Sequence, residues 1–184
     1  MLGNKKTIWV KYENVLADVE ENIRWYFDIE DNPEEHITKE MREKATNAPN
    51  FFKNTRFVKD SLFVIKQLRK SGNCKIKAYS SNNKNKQIRE WLTGTMDFKF
   101  NEVSTKNPTE GDMMFSDSVE DFDGFSGICI LFSAPNNTSL TCKDGYDYRC
   151  INWKMFRDLV VSSDSLTKYE ERKHWYEKDN RMGL

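Results

Sequence analysis

Three short stretches of the chain carry side chains able to do chemistry. They are Lys11, Glu13 and Asn14 after Thr7-Ile8-Trp9-Val10, Ser80-Ser81-Asn82 after Lys75-Ile76-Lys77-Ala78-Tyr79, and Ser116-Asp117-Ser118 after Asp112-Met113-Met114-Phe115. Each follows a run short and apolar enough to be a buried strand. In an open parallel α/β sheet ligands bind just outside the carboxyl ends of the strands, so a site forms here if the three runs lie side by side. A lysine with hydroxyls can hold an anion, or the charged groups can satisfy one another. A buried lysine stays charged only beside an anionic partner, and Glu13 and Asp117 are the acids expected to pair with Lys11.

The elements that must position these residues follow from periodicity. The first run ends at turn-prone Asn14 and passes through Val15-Leu16-Ala17-Asp18 into charged, helical sequence, where Val19, Ile23, Tyr26 and Phe27 recur at helical spacing. Asp31-Asn32-Pro33 breaks that helix, and Pro33 suits the first turn of another carrying Ile37 and Met41. The segment Ala48 to Asn54, with Phe51 and Phe52, returns the chain toward the core. Leu62, Ile65 and Leu68 predict a helix within 58–71, stopped by Arg69, Lys70 and Gly72. Strands are expected near 75–79, 98–103, 112–116 and 127–132, with a helix at 84–92 and a helical segment from Cys150 through Trp153 to Val160. Leu166, Tyr169 and Trp175 could share one side of a terminal helix starting at Asp164 or Ser165.

Composition narrows the possible functions. Lys+Arg and Asp+Glu both number 29, so zero formal charge gives no electrostatic case for nucleic acid or a membrane surface. No apolar run approaches a transmembrane span, and no signal-peptide segment opens the chain. Cys74, Cys129, Cys142 and Cys150 include no Cys-x-x-Cys pair, and His36 and His174 are the only histidines, so no metal ligands are expected among them. Free thiols in a reducing, cytoplasmic setting are the expectation. Asn136-Asn137-Thr138 reads as turn sequence rather than a glycosylation acceptor.

The stretch Lys11-Tyr12-Glu13-Asn14-Val15-Leu16-Ala17-Asp18 resembles the Asp-x-Asp-Gly-Val-Leu-Ala-Asp that closes the first strand of the 5'(3')-deoxyribonucleotidases, within the haloacid dehalogenase superfamily. In that family the first Asp attacks phosphorus and the second is the general acid/base; here those positions hold Lys11 and Glu13. The resemblance continues through Phe51-Phe52, similar to an aromatic wall of the nucleotide pocket, and Ser80, where relatives place a phosphate-holding hydroxyl. It takes in Trp91 of a Lys-x-x-Trp pattern whose phosphate-binding lysine falls at Ile88, with Lys84, Lys86 and Arg89 nearby. It also covers Ser116-Asp117, where active relatives carry a magnesium-binding Asp-Asp pair, and Leu131-Phe132 and Trp153 farther on. The resemblance spans roughly 7–160 and implies an α/β fold: a Rossmann-like three-layer core with a parallel sheet (1–17 and 55–160), a small helical cap after the first strand (18–54) and a helical tail (161–184).

By the same resemblance, Lys11, Glu13, Ser80, Ser116 and Asp117 occupy catalytic positions without the catalytic set, and Phe51, Phe52 and Ser80 are vestigial substrate contacts. No cofactor is expected, the magnesium site being lost. Charge pairing leaves two expectations for Lys11: its ammonium stands where the metal would, paired with Glu13 and Asp117, or it points to solvent in an open cleft. The implied function is that of a catalytically inactive nucleotidase-like protein, binding or regulating through a protein partner, with weak nucleotide binding. Abundant Lys and Asn and the small size suit a bacteriophage protein acting on a host component in the host cytoplasm. The alternative is an active 5'-nucleotidase or phosphatase on (deoxy)nucleoside monophosphates.

Overall fold

A computed structural model describes residues 5–29, 36–80, 85–94, 100–134 and 137–162. Six strands form one sheet: β1 (Lys6–Lys11), β2 (Cys74–Tyr79), β3 (Val103–Ser104), β4 (Met113–Ser116), β5 (Ile128–Phe132) and β6 (Tyr148–Cys150). Their order is β3-β2-β1-β4-β5-β6 and every pairing is parallel. The chain winds outward from β1 on one side and from β4 on the other. The crevice between these two carboxyl ends is therefore the topological switch point, where such sheets bind ligands.

Successive side chains point to opposite faces of a strand, and the buried residues divide accordingly. Ile8, Val10, Met113, Phe115 and Ile130 join one cluster, together with Val64, Ile65 and Leu68 of α3 (Ser61–Lys70) and Trp153, Phe156 and Val160 of α5 (Trp153–Ser162). Phe115 and Phe156 stack with ring centroids 4.1 Å apart. Trp9, Tyr79, Met114 and Leu131 face the other way, against Phe122, Phe125, Leu140 and Tyr146.

Between β1 and α3 lie α1 (Val19–Tyr26) and α2 (Lys39–Asn47), in the interval expected to form a cap. Asp18 caps α1 by accepting from the Glu21 amide at 3.2 Å, and Thr38 caps α2 through the Met41 amide at 3.2 Å. Arg42 joins the two helices through Glu20 at 3.3 Å. A 3-10 turn at Phe52–Asn54 brings the chain back, held by Asn22 Nδ2 donating to Phe51 O and Thr55 Oγ1 at 3.2 and 3.1 Å. Trp91 of α4 (Asn85–Gly94) donates its indole N–H to Thr55 O at 2.9 Å, and Trp153 donates to Val15 O at 2.8 Å.

The structure differs from the sequence reading in four places. The helix expected to open near Pro33 and carry both Ile37 and Met41 begins at Lys39, because Thr38 caps it and leaves Ile37 outside, while Pro33 lies outside the described residues. Of the strand expected near 98–103, residues 98–99 lie outside the described residues, and within 100–104 the strand is the two-residue β3, Val103–Ser104, with Asn101 N and Glu102 O bonded to Ile76 O and Ala78 N of β2. The expected helical opening at Cys150 is instead the end of edge strand β6, and α5 starts at Trp153 with the Asn152 side chain accepting the Met155 amide at 2.9 Å. That helix runs through Ser162, two residues past the boundary drawn for the tail, and the rest of the tail lies outside the described residues. All four cysteines are free thiols, and no described helix is long and apolar enough to cross a membrane.

Candidate functional site

The site is built on the adjacent ends of β1 and β4. Pairing Val10 with Phe115 sets the Lys11 and Ser116 positions side by side, one residue farther along. The loop after Lys11 is a tight, self-bonded turn: Ala17 N donates to Tyr12 O at 2.9 Å and Asn14 N to Ala17 O at 2.8 Å. Asn14 sits at φ 57°, a left-handed conformation that Gly and Asn tolerate, at the position where the resembled motif has Gly. There its side chain accepts the Glu20 amide at 3.1 Å and donates to Asp117 Oδ2 at 3.0 Å.

At the centre is the Lys11 ammonium. Its Nζ lies 2.9 Å from Asp117 Oδ1 and 2.8 Å from Asp121 Oδ2, and all three side chains are buried. Burial, the largest single influence on Lys11, acts to lower its pKa. The combined attraction of Asp117 and Asp121 outweighs it, so the ammonium is held above the ordinary lysine value and stays charged. Asp121 also accepts from Ser116 Oγ at 2.5 Å and Tyr79 OH at 3.3 Å, and Asn107 Nδ2 approaches its other oxygen at 3.4 Å. Burial and the neighbouring Asp121 charge push the Tyr79 hydroxyl well above its usual value, so it remains a donor. Asn137 Nδ2 donates to the backbone oxygens of Asp117 and Phe132 at 2.7 and 2.8 Å, and Arg149 Nη1 donates to Asn137 Oδ1 at 3.1 Å.

This geometry corrects the expected pairing. Lys11 contacts Asp117 and Asp121, whereas Glu13 turns the other way and accepts a hydrogen bond from Ser80 Oγ. Asp121 was not among the sequence candidates. It lies on a 3-10 turn, Val119–Phe122, outside any strand end, and the available signal was its spacing of four from Asp117. Ser116 contributes a hydroxyl that supports Asp121 and accepts the Ser118 amide at 3.1 Å.

Burial is the main influence on Glu13 and pushes its carboxyl upward, with the Ser80 hydrogen bond opposing; its Oε2 is closed off from solvent with no hydrogen-bond partner. Phe51 and Phe52 are buried in edge-to-face contact at 5.2 Å, with Phe52 also against Tyr12 at 6.0 Å. Phe52, fully buried, is core at this position. Ile88 is buried as well, and Lys84 and the side chains of Lys86 and Arg89 lie outside the described residues.

The fold is that of the haloacid dehalogenase superfamily. A HAD-superfamily hydrolase from Geobacter sulfurreducens superposes with a TM-score of 0.56 at 13% identity, over 86% of this chain and 99% of that one. A haloacid dehalogenase-like hydrolase from Streptococcus pneumoniae gives 0.57 at 8%, over 83% and 96%. Within that fold, the model of the family "5' nucleotidase, deoxy (Pyrimidine), cytosolic type C" matches residues 5–166, and the chain belongs to this family. The 5'(3')-deoxyribonucleotidases of Bacillus subtilis (strain 168) and Bacillus phage SPbeta are each 29% identical to it over 168 residues, covering 82% of this chain and 95% of the relative.

Proposed function

We propose that this protein is a non-catalytic member of its family, in which Lys11 takes the place of both the attacking carboxylate and the metal ion, and which works as a binding module read by a protein partner. The observation that carries this reading is the Lys11 ammonium bridging Asp117 and Asp121 at 2.9 and 2.8 Å. An aspartyl route needs a carboxylate in line with phosphorus, a divalent ion and an acid/base. A protonated lysine is not a nucleophile, and raising its pKa removes the free amine. A divalent ion between the two aspartates would sit against that ammonium, so the residues as arranged do not fit magnesium. The acid/base position holds Glu13, which is engaged by Ser80. The loss of one member of such a unit removes most of its rate, and further losses add little.

The test is phosphate release from a panel of deoxyribonucleoside and ribonucleoside monophosphates with magnesium, for the natural protein beside a Lys11→Asp/Glu13→Asp variant. The natural protein is expected to be silent. Turnover by it overturns the reading and requires a different nucleophile. Turnover by the variant alone locates the loss at these two positions.

A further inference from the structure

A groove that the cleft chemistry does not use runs beside the edge of the sheet. One wall is β6, Tyr148–Cys150, the last strand in the order, and the other is a stripe of α5 formed by Met155, Asp158, Leu159 and Ser162. These four residues are spaced three and four apart, so they share one face of the helix. The groove measures about 300 Å³. An apolar cavity of about 150 Å³ takes a benzene ring, so there is room here for about two side chains of that size. Met155 and Leu159 are only partly buried, and Ile151 and Val161, chain neighbours of the lining residues Cys150 and Ser162, are 67% and 64% exposed. Apolar surface of this kind gains by being covered, and sheet edges are commonly covered by a helix or loop.

The chain itself supplies a cover of the right length in the right place. Helix α5 ends at Ser162, on the wall of the groove, and residues 163–184 follow. The family model stops at residue 166, so most of this segment lies beyond the part of the chain that the family accounts for. Asp164 or Ser165 can cap a new helix, and two antiparallel helices joined by about two to five residues make a hairpin, which turns the chain back along α5. Leu166 and Tyr169, three apart, then share a face. The four residues from Ser162 to Leu166 span at most about 14 Å, and the stripe from Met155 to Ser162 is about 10 Å long, so both side chains reach it. We propose that residues 163–184 fold back on α5 as the second arm of a helical hairpin, seating Leu166 and Tyr169 in the groove against Met155, Leu159 and β6.

The intact chain is digested with limiting trypsin, the cuts are mapped by mass spectrometry, and the association state is read by light scattering. The segment offers cleavage sites at Lys168, Arg172, Lys173, Lys178 and Arg181. At concentrations where the chain is monomeric, Lys168, Arg172 and Lys173 are expected to be cut at least about tenfold more slowly than in a synthetic peptide of residues 163–184, because cleavage of a docked segment follows the small population that has opened. Tyr169→Ser removes one of the two seated side chains, and Met155→Glu puts a charge in the groove; each should speed those cuts by about tenfold. Ser162→Glu, at an exposed position on the groove wall, replaces Met155→Glu if the latter does not give a cooperative circular dichroism melt. Cleavage at the peptide's rate in the natural protein overturns the proposal. Protection that disappears on dilution to monomer also overturns it and assigns the groove to a second copy. Cuts that stay slow in Tyr169→Ser or in the folded groove variant overturn it as well, because the segment is then held elsewhere.

Discussion

Replacing Lys11 with methionine keeps most of the side-chain volume and deletes the charge. Two carboxylates, with side chains 4% and 7% exposed, would then face each other without the cation that now lies 2.9 and 2.8 Å from them. Breaking a buried ion pair by removing one partner typically costs about 3–5 kcal/mol, because the remaining charge is stranded. For a chain of this size each kcal/mol moves the melting temperature by about 2–4 °C, so the expected fall is about 6–20 °C. The assay is thermal unfolding followed by circular dichroism, with and without millimolar magnesium or calcium. The variant has a vacated cation seat, so a divalent ion should recover part of its loss, while the natural protein should not respond. A loss below about 1 kcal/mol, the range of exposed pairs, would refute the claim that Lys11 is a buried keystone. A magnesium response equal in both proteins would refute the claim that its ammonium fills the cation's place.

Other outcomes follow from the same geometry. The folded state holds the Glu13 proton more readily than the unfolded chain, so that group's stabilising contribution is full below the unfolded value of 4.5 and is lost as pH rises through the folded one. Glu13→Gln keeps an acceptor for Ser80 without a charge, and its melting temperature relative to the natural protein should rise steadily between about pH 4 and about pH 7.5. A constant difference across that range would contradict the assignment. Trp153→Phe loses the indole bond to Val15 O at 2.8 Å and should lower the stability measured in urea by about 1–3 kcal/mol, with an unchanged m-value. In Gly127→Ala the new Cβ would lie 2.2 Å from Gly111 O and 2.8 Å from Asp112 O, so a loss of at least about 2 kcal/mol, or insoluble protein, is expected on expression and melting.

How much of this was legible in the sequence differs by element. β1, β4 and β5 were readable as short apolar runs bounded by polar turns and β2 by Ile76, Ala78 and Tyr79 between and after lysines, and their parallel order put Lys11 beside Asp117 as anticipated. Asn14 could be understood once its place in the motif implied a left-handed residue. β6 was hidden because Tyr148 and Cys150 flank Arg149, leaving three residues with no period to detect. Asp121 was hidden for a different reason: a 3-10 turn has no strand-end signature, and only the folded chain shows it reaching Lys11. Glu13 carried a charge suited to Lys11, but which of two nearby donors it accepts from is a matter of ångströms that spacing does not encode.

The Lys11 cluster also bears on how this chain can change. On the function proposed above, the Lys11 ammonium does permanently what a bound ion would otherwise do, holding Asp117 and Asp121 together. Placing aspartate at position 11 alone would gather three carboxylates around one centre, so the fold would then depend on a divalent ion for the charge that Lys11 now supplies. Asn14, Ser116 and Tyr79 bond to the two aspartates rather than to Lys11, so their contacts hold the carboxylates in place around whichever cation stands there.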